Sequence, residues 1–364
     1  MSHREKVNAL LEQAASVEEP TTKLRLIEEA ARLADTHNDV ELGFEVREQI
    51  VHDGTFNGFR DRALIAFTWL LGQCDRDPER FQDSDLLWQY KWVTSSLSRF
   101  ASITRAQIEG TLADMAKRYQ RNGIGLRPVW KLRCTIAQDM GDSAASAAAF
   151  EQWQRLPRGA MSDCVACEQD DLAEYHFFAG RLEEGLALME PILKGRMRCA
   201  EIPHTTFGDI LNPLVRLGRA AEAMEFHRQG YRMVSRNHEF TRTIADHIAF
   251  LGVTENHVRG VKLLEKHLEW MLRSPHDDDA FFFADAARFL LERVKRKSLT
   301  LRLPKAFEGY RRGGTYEIGA LRDWFAARAT AIAAKFNARN GNDFFTTLMG
   351  NTTAMHGMAA KIAW

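Results

Sequence analysis

The chain has 364 residues, 45% of them hydrophobic and 27% charged. Its 49 basic residues balance 49 acidic ones, so no bulk field favours nucleic acid or an anionic membrane surface. No apolar run approaches the roughly 20 residues of a membrane span, and five cysteines in this length do not make a disulfide framework.

In chain order, the opening stretch "MSHREKVNALLEQAA" is charged and amphipathic and lacks the apolar centre of a signal peptide. It predicts a cytoplasmic protein, whose thiols stay reduced. "NDVELGFEVREQIVHDG" and "RALIAFTWLLGQCD" then read as a helix pair. At Gly141, "DMGDSAASAAAFEQW" opens a unit with a small residue, Ser146, and Phe150 one helical turn later. "FAGRLEEGLALME" (Phe178–Glu190) and "RLGRAAEAMEFHR" (Arg216–Arg228) share one pattern: a helix ends at glycine, a charged turn follows, and a second helix starts around a small residue. "FLGVTENHVRGVKLL" reads as a further unit opening at Gly252, with a longer turn. Its second helix carries Val261, Leu264, Leu268 and Met271 on one face. Gly141, Gly180, Gly218 and Gly252 stand 39, 38 and 34 residues apart, a period of helix-hairpin arrays.

These units resemble tetratricopeptide repeats (TPR), most clearly over about residues 125–275. The resemblance implies an all-α, TPR-like solenoid of antiparallel helix hairpins. We assign degenerate hairpins to residues 1–124, repeats to 125–300, and a connection with C-terminal capping helices to 301–364. The connection, "TLRLPKAFEGYRRGGTYEIG", has no helical period. Two final helices are predicted at about 316–338 and 342–361, broken at Gly341. Arrays of this family bind peptides or protein segments in a concave groove lined by the first helix of each hairpin. Alignment on the turn glycines places Lys131, Glu174, Asn212, Arg216, Arg242 and Asp246 near that groove. Lys131 and Asn212 resemble positions that clamp a peptide carboxylate in other TPR proteins, but most of that clamp is missing, so chaperone-tail binding is not expected.

One candidate site stands out. In "SDCVACEQDD", Cys164 and Cys167 open a predicted helix over about 164–179, and a second helix returns over about 183–195. The hairpin brings "CAEIPH", with Cys199 and His204, back beside them. Three thiols and an imidazole form the Cys3His set of structural zinc, and a helix N-terminus favours thiolate charge. His176, at the far end of the first helix, is the lesser candidate for fourth ligand. The competing reading is three packed thiols, as expected for Cys74 and Cys134 within helical runs. A redox pair lacks the strand-then-helix setting of a thioredoxin motif.

The remaining features have plain explanations. "SPHDDDAFFF" reads as a helix start favoured by its aspartates. The basic stretch Arg288–Gly314 reads as a solvated helix end. The histidines at 227, 238, 247, 257 and 267 fall on different helices and read as the repeat period. No metalloprotease, nucleophile-elbow or P-loop motif is present. The expectation is a non-enzymatic cytoplasmic scaffold that binds a protein or peptide, with a structural Zn2+ and without nucleic acid or membrane partners. The alternative is a sensor taking a small ligand or peptide in the groove.

Overall fold

Local capping sets many helix starts in the computed structural model, which describes residues 1–364. Ser2 with Glu5, and Thr104 with Gln107, form reciprocal capping boxes. Pro20 and Pro128 sit in first turns, where a missing N–H goes unused. The helices pair in sequence order as α1 (His3–Ala15) with α2 (Pro20–Thr36), α3 (Val40–Phe56) with α4 (Arg60–Arg76), α5 (Leu87–Ser95) with α6 (Arg105–Arg121), and α7 (Arg127–Asp139) with α8 (Ser143–Arg155). Next come α9 (Val165–Phe178) with α10 (Leu182–Leu193), then α11 (Thr206–Asp209) and α12 (Leu211–Arg216) with α13 (Ala220–Val234), α14 (Thr241–Val253) with α15 (His257–Arg273), and α16 (Asp277–Glu292) with α17 (Ile318–Asn340). The fold is thus an all-α solenoid of eight hairpins. No helix is long and apolar enough to cross a membrane.

Three hairpin turns are made as expected. Gly141, Gly180 and Gly218 have φ near +71°, +78° and +73°, a region glycine enters without steric penalty. Gly185, in the small position of its unit, lets α10 close on α9: a Cβ there would lie 2.4 Å from the Phe177 ring. The fourth turn corrects the sequence reading. Gly252 lies inside α14, packed on Phe289 and Leu290, and the left-handed turn residue is Glu255, with φ +58°. Measured at the true turns, the last interval is 37 residues, so the repeat is more regular than the glycines suggest.

The connection from α16 to α17 holds an antiparallel two-stranded ribbon, β1 (Ser298–Thr300) on β2 (Thr315–Glu317). Gly341 ends α17 in the left-handed conformation, as expected. The last helix, α18, is shorter than predicted (Phe344–Ala354); a 3-10 turn follows over Met355–Met358. From there the chain runs extended, and the Ala360 and Ile362 N–H groups donate to the carbonyls of Val253 and Thr254. This segment therefore crosses the first helices α12, α14 and α16. Two large apolar clusters, one through α1–α7 and one through α14–α18, form most of the core, and a smaller one lies under α9–α13.

The coil also closes on itself. Arg60, at the turn of the second hairpin, pairs with Glu239 ahead of the seventh at 2.6 Å. Arg99, at the turn of the third, pairs with Asp278 and Asp279 at the start of the eighth, at 2.9 and 2.7 Å. At the turn of the fourth hairpin, the Met140 carbonyl accepts from Asn342 at the end of the eighth, at 2.8 Å. The first two contacts each join a hairpin to the one five further along, and the third joins the fourth hairpin to the far end of the eighth.

Candidate metal centre and charged inner groove

Cys164 is the N-cap of α9, where its Sγ accepts the Cys167 N–H at 3.3 Å. The chain leaves α10 and returns, and the Ile202 N–H reaches Cys199 Sγ at 3.4 Å. Both contacts span three residues and use the same kind of donor. The sulfurs converge: Cys164 to Cys167 is 3.2 Å and Cys167 to Cys199 is 3.4 Å. Cys164 is exposed and the other two are partly buried. Burial and the neighbouring thiols push the Cys167 thiol far above its ordinary range.

The expected fourth ligand does not converge. No imidazole nitrogen or carboxylate oxygen joins the three sulfurs within a mutual 4.8 Å. His204 turns instead towards the Glu201 carbonyl (Nδ1 to O, 3.2 Å), and its ring stacks on Phe240 with centroids 5.5 Å apart. His176 is engaged with Glu184 at 3.0 Å. Cys74 and Cys134 are buried, as expected.

The groove residues divide into two sets. Lys131 is buried, and its ammonium is held by Asp171 at 2.6 Å and Asp163 at 2.8 Å. Burial works against that charge, but the two carboxylates outweigh it and keep the amine protonated. Asp163 also binds the buried Lys91 at 2.7 Å. Lys131 is therefore a structural cation and not a free clamp for a peptide carboxylate, because its charge is already neutralised.

In the second set the acids outnumber the cations. Glu174 lies one turn beyond Asp170 on the same face of α9, and Asp209 approaches from α11; their oxygens lie within 4.8 Å of one another. Asp170 accepts from Thr206 Oγ1 at 2.5 Å, and one oxygen of Asp209 is buried without a partner. Burial pushes Asp170 up to about 7, with Asp171 adding to it. Burial also raises Glu174 and Asp209 well above the carboxylate range, and the adjacent acids raise them further. Asp246 on α14 is likewise pushed up by burial to about 7. The cation that opposes this set is Arg242, which also reaches Asp139 at 3.6 Å and Asp278 at 3.7 Å and lies over the Phe282 ring.

Asn212, Arg216 and Asp246 line a cavity of about 380 Å³ between α12, α14 and α16, covered by Leu348, Met355 and Met358 of the C-terminal segment. The aspartates before α16 do more than favour its start. Asp278 and Asp279 are buried and hold Arg99, and the Ala101 N–H donates to Asp277 at 2.9 Å. Three of the spaced histidines meet in the core. His227 and His247 touch through their Nδ1 atoms at 2.9 Å, and the Tyr231 hydroxyl joins His267 at 3.1 Å. The Asp170–Glu174 spacing was the one sequence signal for the acidic set, because i and i+4 share a helix face; Asp209 carried no local signal. No protein-family model and no curated protein matches this sequence.

Proposed function

We propose that this chain is a non-enzymatic, TPR-like binding protein of the cytosol whose inner groove takes a cationic segment of a protein partner. The observation that carries this reading is the excess of acid at Asp170, Glu174, Asp209 and Asp246, where several carboxylates face the one guanidinium of Arg242. Enclosed carboxylates that outnumber their cations are unfavourable, and a lysine or arginine side chain entering the groove would supply a further partner. Lys131 cannot, since Asp163 and Asp171 hold it. The groove is asked to bind and not to catalyse.

An array of peptides of graded charge tests this. Arginine- and lysine-bearing peptides should be retained and acidic ones should not, and the affinity should fall with salt. Glu174→Gln with Asp209→Asn should weaken binding about tenfold or more, while circular dichroism stays native. Equal retention of acidic peptides, or unchanged affinity in the double variant, would reject the reading.

A second reading, a sensor for a small ligand, is favoured by the cavity under the C-terminal segment. Its volume, about 380 Å³, falls within the range of small-molecule sites. A compound that raises the melting temperature of the wild type, but not of an Asn212→Ala, Arg216→Ala variant, would support it.

A further inference from the structure

We infer that Cys164, Cys167 and Cys199 form a three-thiolate site for a thiophilic divalent ion, with its fourth coordination place open to an exchangeable ligand. Two observations carry this besides the convergence of the sulfurs. Cys164 and Cys199 lie on segments separated by a whole hairpin, yet each accepts a backbone N–H three residues downstream, at 3.3 and 3.4 Å. In both places the amide fixes the direction of the sulfur, and packing alone does not call for the same donor at two unrelated places. The exposure is also graded: Cys164 is exposed, whereas Cys167 and Cys199 are partly buried. An ion seated on this trio is walled on the core side and open on the solvent side.

Zinc sits about 2.3 Å from each thiolate, so three bound sulfurs stand roughly 3.8 to 4.0 Å apart. The observed separations of 3.2 and 3.4 Å need to open by only about half an ångström. On binding, three S–H protons go to buffer, three metal–sulfur bonds form, and the ion sheds the waters they replace. A dication then carries a net charge of −1 with a neutral fourth ligand. His204 is committed to the Glu201 carbonyl and the Phe240 ring, so that fourth ligand comes from solution. Sealed structural sites have four protein ligands, and sites with an open place exchange or react.

The test uses the full chain, reduced and stripped of metal under anaerobic conditions. Zn2+ competed against a chromophoric chelator should bind at one equivalent and raise the melting temperature. Co2+ should give sulfur-to-metal charge-transfer absorption, and added imidazole should shift the cobalt ligand-field bands. Cys167→Ser should weaken binding about 100-fold or more, and His204→Ala should leave it unchanged. A readout free of substitutions is alkylation. Zn2+ should protect Cys164, Cys167 and Cys199 of the wild type, with Cys74 and Cys134 unreactive in both states. Binding below about a tenth of an equivalent, or no protection from alkylation, overturns the site. Loss of binding in His204→Ala, or indifference to imidazole, overturns the open fourth place.

Discussion

At the start of α16, Asp278 and Asp279 meet the guanidinium of Arg99; on α9 and α11, Asp170, Glu174 and Asp209 meet one another. Both groups are acidic, both are enclosed, and both lie on first helices of hairpins. Their chemistry is opposite. In the first, Asp279 is held down at about 2: burial opposes its charge, but Arg99 and the donors at His276 and Ser274 prevail. In the second, burial pushes every member up and neighbouring acids add to it. A carboxylate buried against an oriented cation acts as a clamp, and a cluster whose acids outnumber its cations keeps an unmet demand. The first group closes the coil, and the second is where a ligand has something to satisfy.

The sharpest way to break this contrast is to remove the cation. Arg99→Ala leaves two buried aspartates with only the more distant Arg242 and the His276 and Ser274 donors and should cost about 3 kcal/mol, read from the urea midpoint at constant slope. The next test is pH. Asp279 is lower when folded than its ordinary 3.8, so its contribution persists above that value and is lost as pH falls towards 2. Asp170 is higher when folded, at about 7. Its contribution is complete below the unfolded value near 4 and is lost as pH rises through 7. Asp170→Asn should therefore gain on the wild type by about 2 kcal/mol between pH 5 and pH 8, measured as the difference between two melting profiles. A flat difference would place Asp170 with the clamped group. The smallest effect is expected at Arg60→Ala. Arg60 meets a single carboxylate, Glu239, where Arg99 meets two, and its loss should cost about 1.5 kcal/mol. A loss as large as that at Arg99 would mean that closure does not depend on how many carboxylates the cation holds.

What the sequence revealed was local. Helix periodicity, the turn glycines and the small residues opposite them are set by residues within one hairpin, and they placed α9 and α10 within two residues. The return of Cys199 to Cys164 and Cys167 followed from the antiparallel geometry. His204 failed because its orientation depends on Phe240, which leads into another hairpin. Gly252 misled because the left-handed turn was taken by Glu255, while the glycine served a close contact with Phe289. The Arg60–Glu239 and Arg99–Asp278 pairs each span 179 residues. Nothing in the local pattern of either segment points to the other. The histidine contacts in the core and the path of α18 over the groove were illegible for the same reason.

The closure has a consequence for how the molecule comes apart. An open array behaves as a one-dimensional chain in which end repeats fray first and unfolding spreads inward. Here the second, third and fourth hairpins are fastened to the seventh and eighth, so beyond the first hairpin neither end can peel without breaking contacts in the opposite half. Loops of nearly half the chain must close before those contacts form, which slows folding. Once formed, they turn a zipper into a latch: hairpins two to eight open as one unit, and loss of the last hairpin is felt across the whole coil.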